Sequence, residues 1–334
     1  MNNYKKILVC LLVFVTIFSV TGCQSKKEDF LELYKYTFRL AEAHPIDHPT
    51  TQADFEFAKR VEEESKGRIK IIVFPNKKLG EEESIIEQVG FGAIDFARVS
   101  IAPLSEHVNE LNVLQLPYLY KNSEHMWKVL ESDIGDYFLN KMSEKGYYGL
   151  TWFDAGARSF YTNKKPIKSL ADLKGQTIRV PESSLMQDII EALGAKSVML
   201  SYGQVYSALQ TGIIDGAENN FSSYVTASHL EVAKYFTVDE HVRVPEVLMA
   251  SENVKEFLSE DDWNLLTKVA LETKEYQKQR WNELDQKAKE TMEADGISIY
   301  YLEDRSEFIE AVKPIYEEYS QYNVLIKRIK DFAD

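Results

Sequence analysis

Apolar residues are spread unevenly along the chain. Ile7–Val20 is apolar apart from Thr16 and Ser19. That run is shorter than the roughly 20 residues a membrane-crossing helix needs. It follows Lys5 and Lys6, which is the order of an export signal. From Tyr36 the rhythm changes. Tyr36–Ala41 alternates as a strand does. Phe55, Ala58 and Val61 recur at helical spacing and predict a helix capped near Thr50 and stopped by Gly67. Arg68–Phe74, rich in isoleucine and valine, reads as a strand. Glu81–Val89 reads as a short helix with Ile85, Ile86 and Val89 inward, and Ala93–Val99 as a third strand. The order recurs later: strand Thr177–Val180, helix Ser184–Leu193, strand Ser197–Leu200, helix Tyr202–Gln210, strand Ile213–Asn219.

Strands alternating with helices predict an α/β fold with mostly parallel sheets covered on both faces. Two such units predict two lobes. Their ends correspond: Gly92-Ala-Ile-Asp-Phe-Ala-Arg98 parallels Gly212-Ile-Ile-Asp-Gly-Ala-Glu218. Arg98 and Glu218 thereby fall at the carboxyl ends of equivalent strands, where open α/β sheets bind ligands. The C-terminal third is helical. Ser259 and Asp262 resemble a capping box, and Glu260 to about Ala294 contains no glycine or proline. Such a helix would reach roughly 50 Å, longer than one lobe is wide. A strand at Ile297–Leu302 and a last helix at Glu307–Tyr322 complete the pattern. The chain must cross between lobes more than once, so each lobe is discontinuous. The expected division is a leader at 1–22, a tether at 23–33, one lobe of 34–155 plus about 244–283, and another of 156–243 plus about 284–334.

Composition narrows the class. The net charge of −14 argues against nucleic acid, and any bound anion needs a local basic pocket to overcome that field. The two cysteines are Cys10 and Cys23. Val20-Thr21-Gly22-Cys23 resembles a bacterial lipobox, with Cys23 as the lipidated first residue and Gln24–Asp29 as a polar tether on the outer face of a membrane. The first cysteine leaves with the leader, so no disulfide is expected.

The chemistry concentrates between Asp154 and Asn220. Arg158 and Arg179 sit among glycine, proline and apolar strand residues, where an unpaired guanidinium is costly to bury. Arginine's planar fork fits a carboxylate with two parallel bonds. Three stretches occur in order: Gly-Ala-Arg-Ser-Phe-Tyr-Thr at 156–162, Asp-Leu-Lys-Gly-Gln-Thr-Ile-Arg-Val at 172–180, and Tyr-Ser-Ala-Leu-Gln-Thr-Gly-Ile-Ile-Asp-Gly-Ala-Glu-Asn-Asn at 206–220. Together they resemble the solute receptors of tripartite ATP-independent periplasmic (TRAP) transporters, over about Tyr36 to Tyr319. The resemblance implies a two-lobed, periplasmic-binding-protein-like clamp with a long helix spanning both lobes. It places the carboxylate clamp on Arg179, assisted by Arg158 and Asn219. It also implies a small and a large membrane subunit as partners, driven by an ion gradient, and no cofactor.

Further candidates surround that clamp. Glu42, His44, Asp47 and His48 follow the first strand; Pro45 and Pro49 bar a helix that would stack the histidines, so ligand contact is expected before metal. Arg98 either contacts the ligand or pairs across the cleft with an acid; Glu218 and Asp154 are taken as polar contacts, and Phe160 or Tyr224 as an apolar face for a sugar ring. His241 is read as hinge or wall. A succinate-like acid has no hydroxyls for so many polar groups, so a hexuronate such as galacturonate or glucuronate is favoured over a C4-dicarboxylate. No Gly-x-Ser-x-Gly, His-Glu-x-x-His or phosphate loop appears. The competing classes are an exported carbohydrate-modifying enzyme using paired carboxylates and a sensor ectodomain.

Overall fold

The computed structural model describes residues 34–332. The leader, Cys23 and the tether lie outside them. Strands β1 (Tyr36–Ala41), β2 (Ile69–Phe74), β3 (Phe96–Ser100), β4 (Tyr147–Phe153) and β10 (Glu246–Ser251) form a five-stranded sheet in the order β2-β1-β3-β10-β4. Strands β5 (Ala157–Thr162), β6 (Thr177–Val180), β7 (Lys196–Met199), β8 (Gly216–Asn219), β9 (Tyr235–Arg243) and β11 (Ser298–Tyr301) form a six-stranded sheet, β11-β9-β5-β8-β6-β7.

Both sheets are mixed but mostly parallel, as expected: a single strand in each, β10 in the first and β5 in the second, runs against the rest. β1 runs parallel to β2 and β3, and β6 parallel to β7 and β8. β10, however, is antiparallel to β3 and β4, and β5 to β8 and β9. The antiparallel strands are the ones that pass from sheet to sheet. β4 leads into β5 through Asp154, Ala155 and Gly156, and β9 into β10 through Val244 and Pro245. A strand that leaves one sheet to enter another needs no covering helix, so the βαβ rhythm does not announce it.

α1 (Pro49–Glu64) is capped by His48, whose ring accepts from the Thr50 amide, and not by Thr50 itself. Its buried stripe is Ala53, Phe57, Ala58 and Val61; Phe55 faces outward, contrary to the expected stripe. α2 (Glu82–Gly90) buries Ile85, Ile86 and Val89 against the first sheet's core. The long helix, α3 (Glu260–Ala294), is capped by the Ser259 hydroxyl. The reciprocal half of the capping box is absent, because Asp262 pairs with Arg68 instead. Early in its course α3 contacts α1 and β4, and it also contacts the helix Phe221–Thr226. Midway, Gln277 donates to the Asp154 carbonyl (2.8 Å) and accepts from its amide (2.8 Å). The last expected helix is instead broken into Ser306–Ala311, Lys313–Glu318, a short turn and Asn323–Asp331. Pro314 has no N–H to continue the first segment and sits at the start of the next. Among the described residues no helix is long and apolar enough to cross a membrane.

Candidate functional site

The strand crossings leave a cleft between the two sheets. Ala155 and Val244, one from each crossing, lie in its wall. The first sheet contributes His44, which follows β1, Glu82 at the start of α2, Ser100 at the end of β3 and Glu246 at the start of β10. The second sheet contributes Arg158, Arg179, Asn219 and Asn220, with Tyr202 and Ser223 beside them. The His44 and Tyr202 rings meet edge to face at 5.0 Å, so the two walls touch.

Three buried arginines bear on this cleft, in three different states. Arg98 is fully buried. It donates from Nε to Glu42 Oε2 (2.7 Å) and from Nη2 to Glu42 Oε1, while Nη1 reaches Glu82 (3.0 Å) and Glu246 (3.2 Å). Burial opposes its charge, but Glu246, Glu42 and Glu82 outweigh burial and hold the guanidinium well above the ordinary arginine range. Glu42 is likewise driven down by Arg98 and His44 against its own burial.

Arg158 pairs with Glu218 through Nε and through Nη2, the latter at 2.7 Å, while Nη1 donates to Asn219 Oδ1 (3.2 Å). Behind Glu218 stands His241, whose Nε2 is 3.7 Å from the carboxylate and whose Nδ1 is 2.9 Å from Asp239. Burial lowers the His241 pKa, but Asp239 and Glu218 more than reverse that and raise it to about 9. A register shift between β5 and β9 beside Arg158 creates this arrangement: one residue of β5, Ser159, faces a longer stretch of β9 holding Asp239 and His241. Bulges of this kind re-aim side chains next to functional sites.

Arg179 is different. It is only 2% exposed. Nε (2.8 Å) and Nη2 (2.6 Å) both donate to the Leu200 carbonyl. Among the described residues it has no carboxylate partner. Burial first, and the Arg158 charge second, hold its pKa below the ordinary range. A buried cation without a counter-charge is costly, and this one lines the cleft.

The structure thus brings Arg158, Arg179, Asn219 and His44 to the cleft wall. It sets several other candidates elsewhere. Arg98, Glu42 and Glu218 stand one layer behind, consumed by ion pairs. His48 is buried and stacks on His44 at 3.9 Å; the prolines that bar a helix do not prevent stacking in the loop. Asp154 is turned away: it accepts from Trp127 Nε1 (2.8 Å) and the Gly156 amide (2.8 Å). Phe160 and Tyr224 do not offer a ring face to the cleft. Phe160 is sealed in the core against the His241 ring at 4.6 Å, and Tyr224 packs on Tyr161 and Phe236. His241 is buried behind Glu218 rather than in the wall. Glu82 and Glu246 were not anticipated. Glu82 sits in an acidic helix start that reads as solvated, and Glu246 reaches the cleft only because β10 lies antiparallel with Glu246 opposite Ser100. Among the described residues no group of three or more His, Cys, Asp or Glu side chains is arranged to hold a metal ion.

A polar cleft set between two sheets joined by short crossings, with a buried arginine that has no carboxylate partner among the described residues, suits a small anion. That defines a solute receptor. Comparison with known proteins agrees. Residues 40–322 match the model of bacterial extracellular solute-binding protein, family 7. A solute-binding protein of Chromohalobacter salexigens is 36% identical over 278 residues, covering 83% of this chain and 83% of its own. The C4-dicarboxylate-binding protein DctB of Bacillus subtilis is 30% identical over 295 residues, 86% of this chain and 82% of its own. Among solved structures, a TRAP periplasmic solute-binding protein from Bradyrhizobium in complex with α/β-D-galacturonate matches with a TM-score of 0.86 at 41% identity, covering 88% of this chain and 99% of that one. Another from Chromohalobacter salexigens, with bound D-glucuronate, matches with a TM-score of 0.86 at 34% identity and the same coverage. The chain belongs to family 7 of the bacterial extracellular solute-binding proteins and is an extracytoplasmic receptor of the TRAP type.

Proposed function

We propose that this receptor captures a hexuronate, such as galacturonate or glucuronate, and delivers it unchanged to the small and large membrane subunits of a TRAP transporter. One observation carries the reading: Arg179, a buried guanidinium on the cleft wall whose only hydrogen-bond partner among the described residues is a backbone carbonyl. A ligand carboxylate there replaces water with a two-pronged, charge-assisted pair. Arg158 and Asn219 stand beside it and add polar contacts. His44, Tyr202, Ser100 and Asn220 supply partners for a row of hydroxyls. The relatives solved with galacturonate and glucuronate support the choice of sugar acid.

Capture works by closure. Residues 34–155 with about 244–283 act as one lobe, and 156–243 with about 284–334 as the other. A ligand that touches both lobes makes its full set of contacts only in the shut form, so it draws the population there. Cys23 is proposed to carry lipid that holds the receptor at the outer face of the membrane. A Cys23→Ser protein that still fractionates with membranes after a high-salt wash would count against that anchor.

A C4-dicarboxylate is the second reading, favoured by the likeness to DctB. Isothermal titration with galacturonate, glucuronate and succinate separates the two. Uronate heat with recovery of intact ligand is expected. Tight succinate binding without uronate heat would overturn the preference, and conversion of the uronate would point to an enzyme.

A further inference from the structure

The two walls of the cleft differ in charge. On the second sheet's side, Arg158 is neutralised by Glu218 and Arg179 is left positive. On the first sheet's side, Glu42, Glu82 and Glu246 share the single guanidinium of Arg98. That guanidinium has no donor to spare: Nε and Nη2 serve Glu42, Nη2 also meets His44 Nδ1 (2.5 Å), and Nη1 divides between Glu82 and Glu246. Asp54, buried beneath, is driven toward its neutral form by burial and by Glu42, so the charge of this cluster rests on the three glutamates. The wall facing Arg179 is therefore acidic, and its acids reach the cleft surface at Glu82 and Glu246.

Glu246 is the less satisfied of the two. Glu82 Oε1 accepts from both Arg98 Nη1 and the Ser100 amide (3.1 Å). Glu246 has one contact, from Oε1 to Arg98, and its Oε2 is buried without a hydrogen-bond partner. A buried acceptor in that state costs free energy until a donor arrives. A hydroxyl supplies that donor. A carboxylate supplies none, and it meets a like charge whose only cation is already shared.

We propose that Glu246 sets the specificity of the cleft: it accepts a hydroxyl from the end of the ligand remote from Arg179 and excludes a second carboxylate there. This rests on the reading of Arg179 as the seat of the ligand's own carboxylate. The cleft then distinguishes a uronic acid, a ring hemiacetal with one carboxylate, from the aldaric acid of the same hydroxyl pattern, an open chain with a carboxylate at both ends.

The filter is pH-dependent. The titratable and charged groups around Glu246 are Arg98 on β3, Glu82 on α2, Glu42 and His44 at the end of β1, Asp54 on α1 and, from the second sheet's side, Arg158 on β5 and Tyr202. Burial first, then Glu82 and Glu42, against Arg98 and His44, push the Glu246 carboxyl up to about 7. Above that pH it is charged and repels a second carboxylate. Below it, the neutral acid can donate to one. Discrimination is therefore strongest on the alkaline side and fades on acidification.

Calorimetric titration of the purified protein with galacturonate and with galactarate tests this. Wild type should prefer galacturonate by at least about tenfold near pH 8, with the gap narrowing toward pH 6. Glu246→Gln keeps the shape and removes the charge. It should bring the two ligands within about threefold and flatten the pH dependence. If Glu246→Gln binds galacturonate but retains both the wild-type ratio and its pH slope, the role of Glu246 is overturned while the receptor reading stands. Should that variant not fold, wild type decides alone: a ratio flat between about pH 6 and 8 overturns the filter. No heat from either acid in wild type would remove the uronate reading and the filter with it.

Discussion

Arg98, Arg158 and Arg179 are all buried, yet truncating each has a different consequence. Arg98→Met strands Glu42 in the core and leaves Glu82 and Glu246 without their cation; a buried pair broken on one side costs about 3–5 kcal/mol. Urea denaturation of the ligand-free protein should show that loss. Arg179→Met removes a charge that has no counter-ion, so stability without ligand should hold or rise. Affinity for galacturonate should fall by about 2–5 kcal/mol, roughly 30- to 5000-fold. Arg179→Lys should not restore it, because a point charge cannot form the paired fork. Equal destabilisation by both methionine variants would erase the distinction drawn between them. His241 gives a pH signature. Its folded pKa of about 9 lies above the ordinary histidine value of 6.5. Its contribution to stability is therefore fully present below about 6.5 and is lost as pH rises through about 9, on the order of 3 kcal/mol in all. NMR should find the ring protonated near pH 8, and His241→Gln should remove that part of the alkaline decline. These distinctions were only partly legible in the sequence. The words around Arg158 and Arg179 drew attention to both, but nothing local says that Glu218 neutralises one and no acid reaches the other. Pairing depends on strand register, and register is a property of the whole sheet.

Among the elements, those with a private signal were the easiest to read. The run from Glu260 to Ala294 has no glycine or proline and begins with a serine cap, and the helix occupies that span. β1, β2, β6 and β7 follow the βα alternation that marks them. β4, β5, β9 and β10 had no such marker, because each pairs across a crossing rather than through a covering helix. They are also the elements that join the two sheets, and the proposed closure runs through them. Gly156, in the first crossing, has φ +64°, and a Cβ there would stand 3.2 Å from the Trp281 ring. Gln277 on α3 holds both backbone groups of Asp154 in the same crossing. Gln277→Ala would leave a buried amide and a buried carbonyl without partners, each costing about 1–3 kcal/mol. A clear drop in unfolding free energy is expected. A drop below about 1 kcal/mol would mean that water replaces the glutamine and that α3 does not brace the crossing.

For the molecule as a whole, contacts that span the cleft decide how tightly it shuts. Ligand binding to the native state alone should raise stability by about 2.7 kcal/mol at a hundredfold excess over Kd, and closure sets that Kd. One contact lies outside the ligand site and can be removed without touching it. Glu106, beyond β3, reaches across to the start of the helix Ser184–Ala192, accepting from the Ser184 amide (2.7 Å) and hydroxyl (3.1 Å). A carboxylate is favourable at a helix N-terminus, where amides are unpaired and the dipole is positive. The pair is exposed, so it is worth about 0.5–1 kcal/mol at most. In the proposed closure it forms as the two lobes meet. Glu106→Ala should therefore leave the ligand-free protein as stable as wild type or nearly so, and weaken galacturonate binding by about two- to fivefold. The loss should appear as faster release, because the contact forms after the ligand has entered. Raising the salt should shrink the difference between variant and wild type, since exposed charges are screened. An unchanged release rate at low salt would show that Glu106 caps the helix without helping to hold the cleft shut.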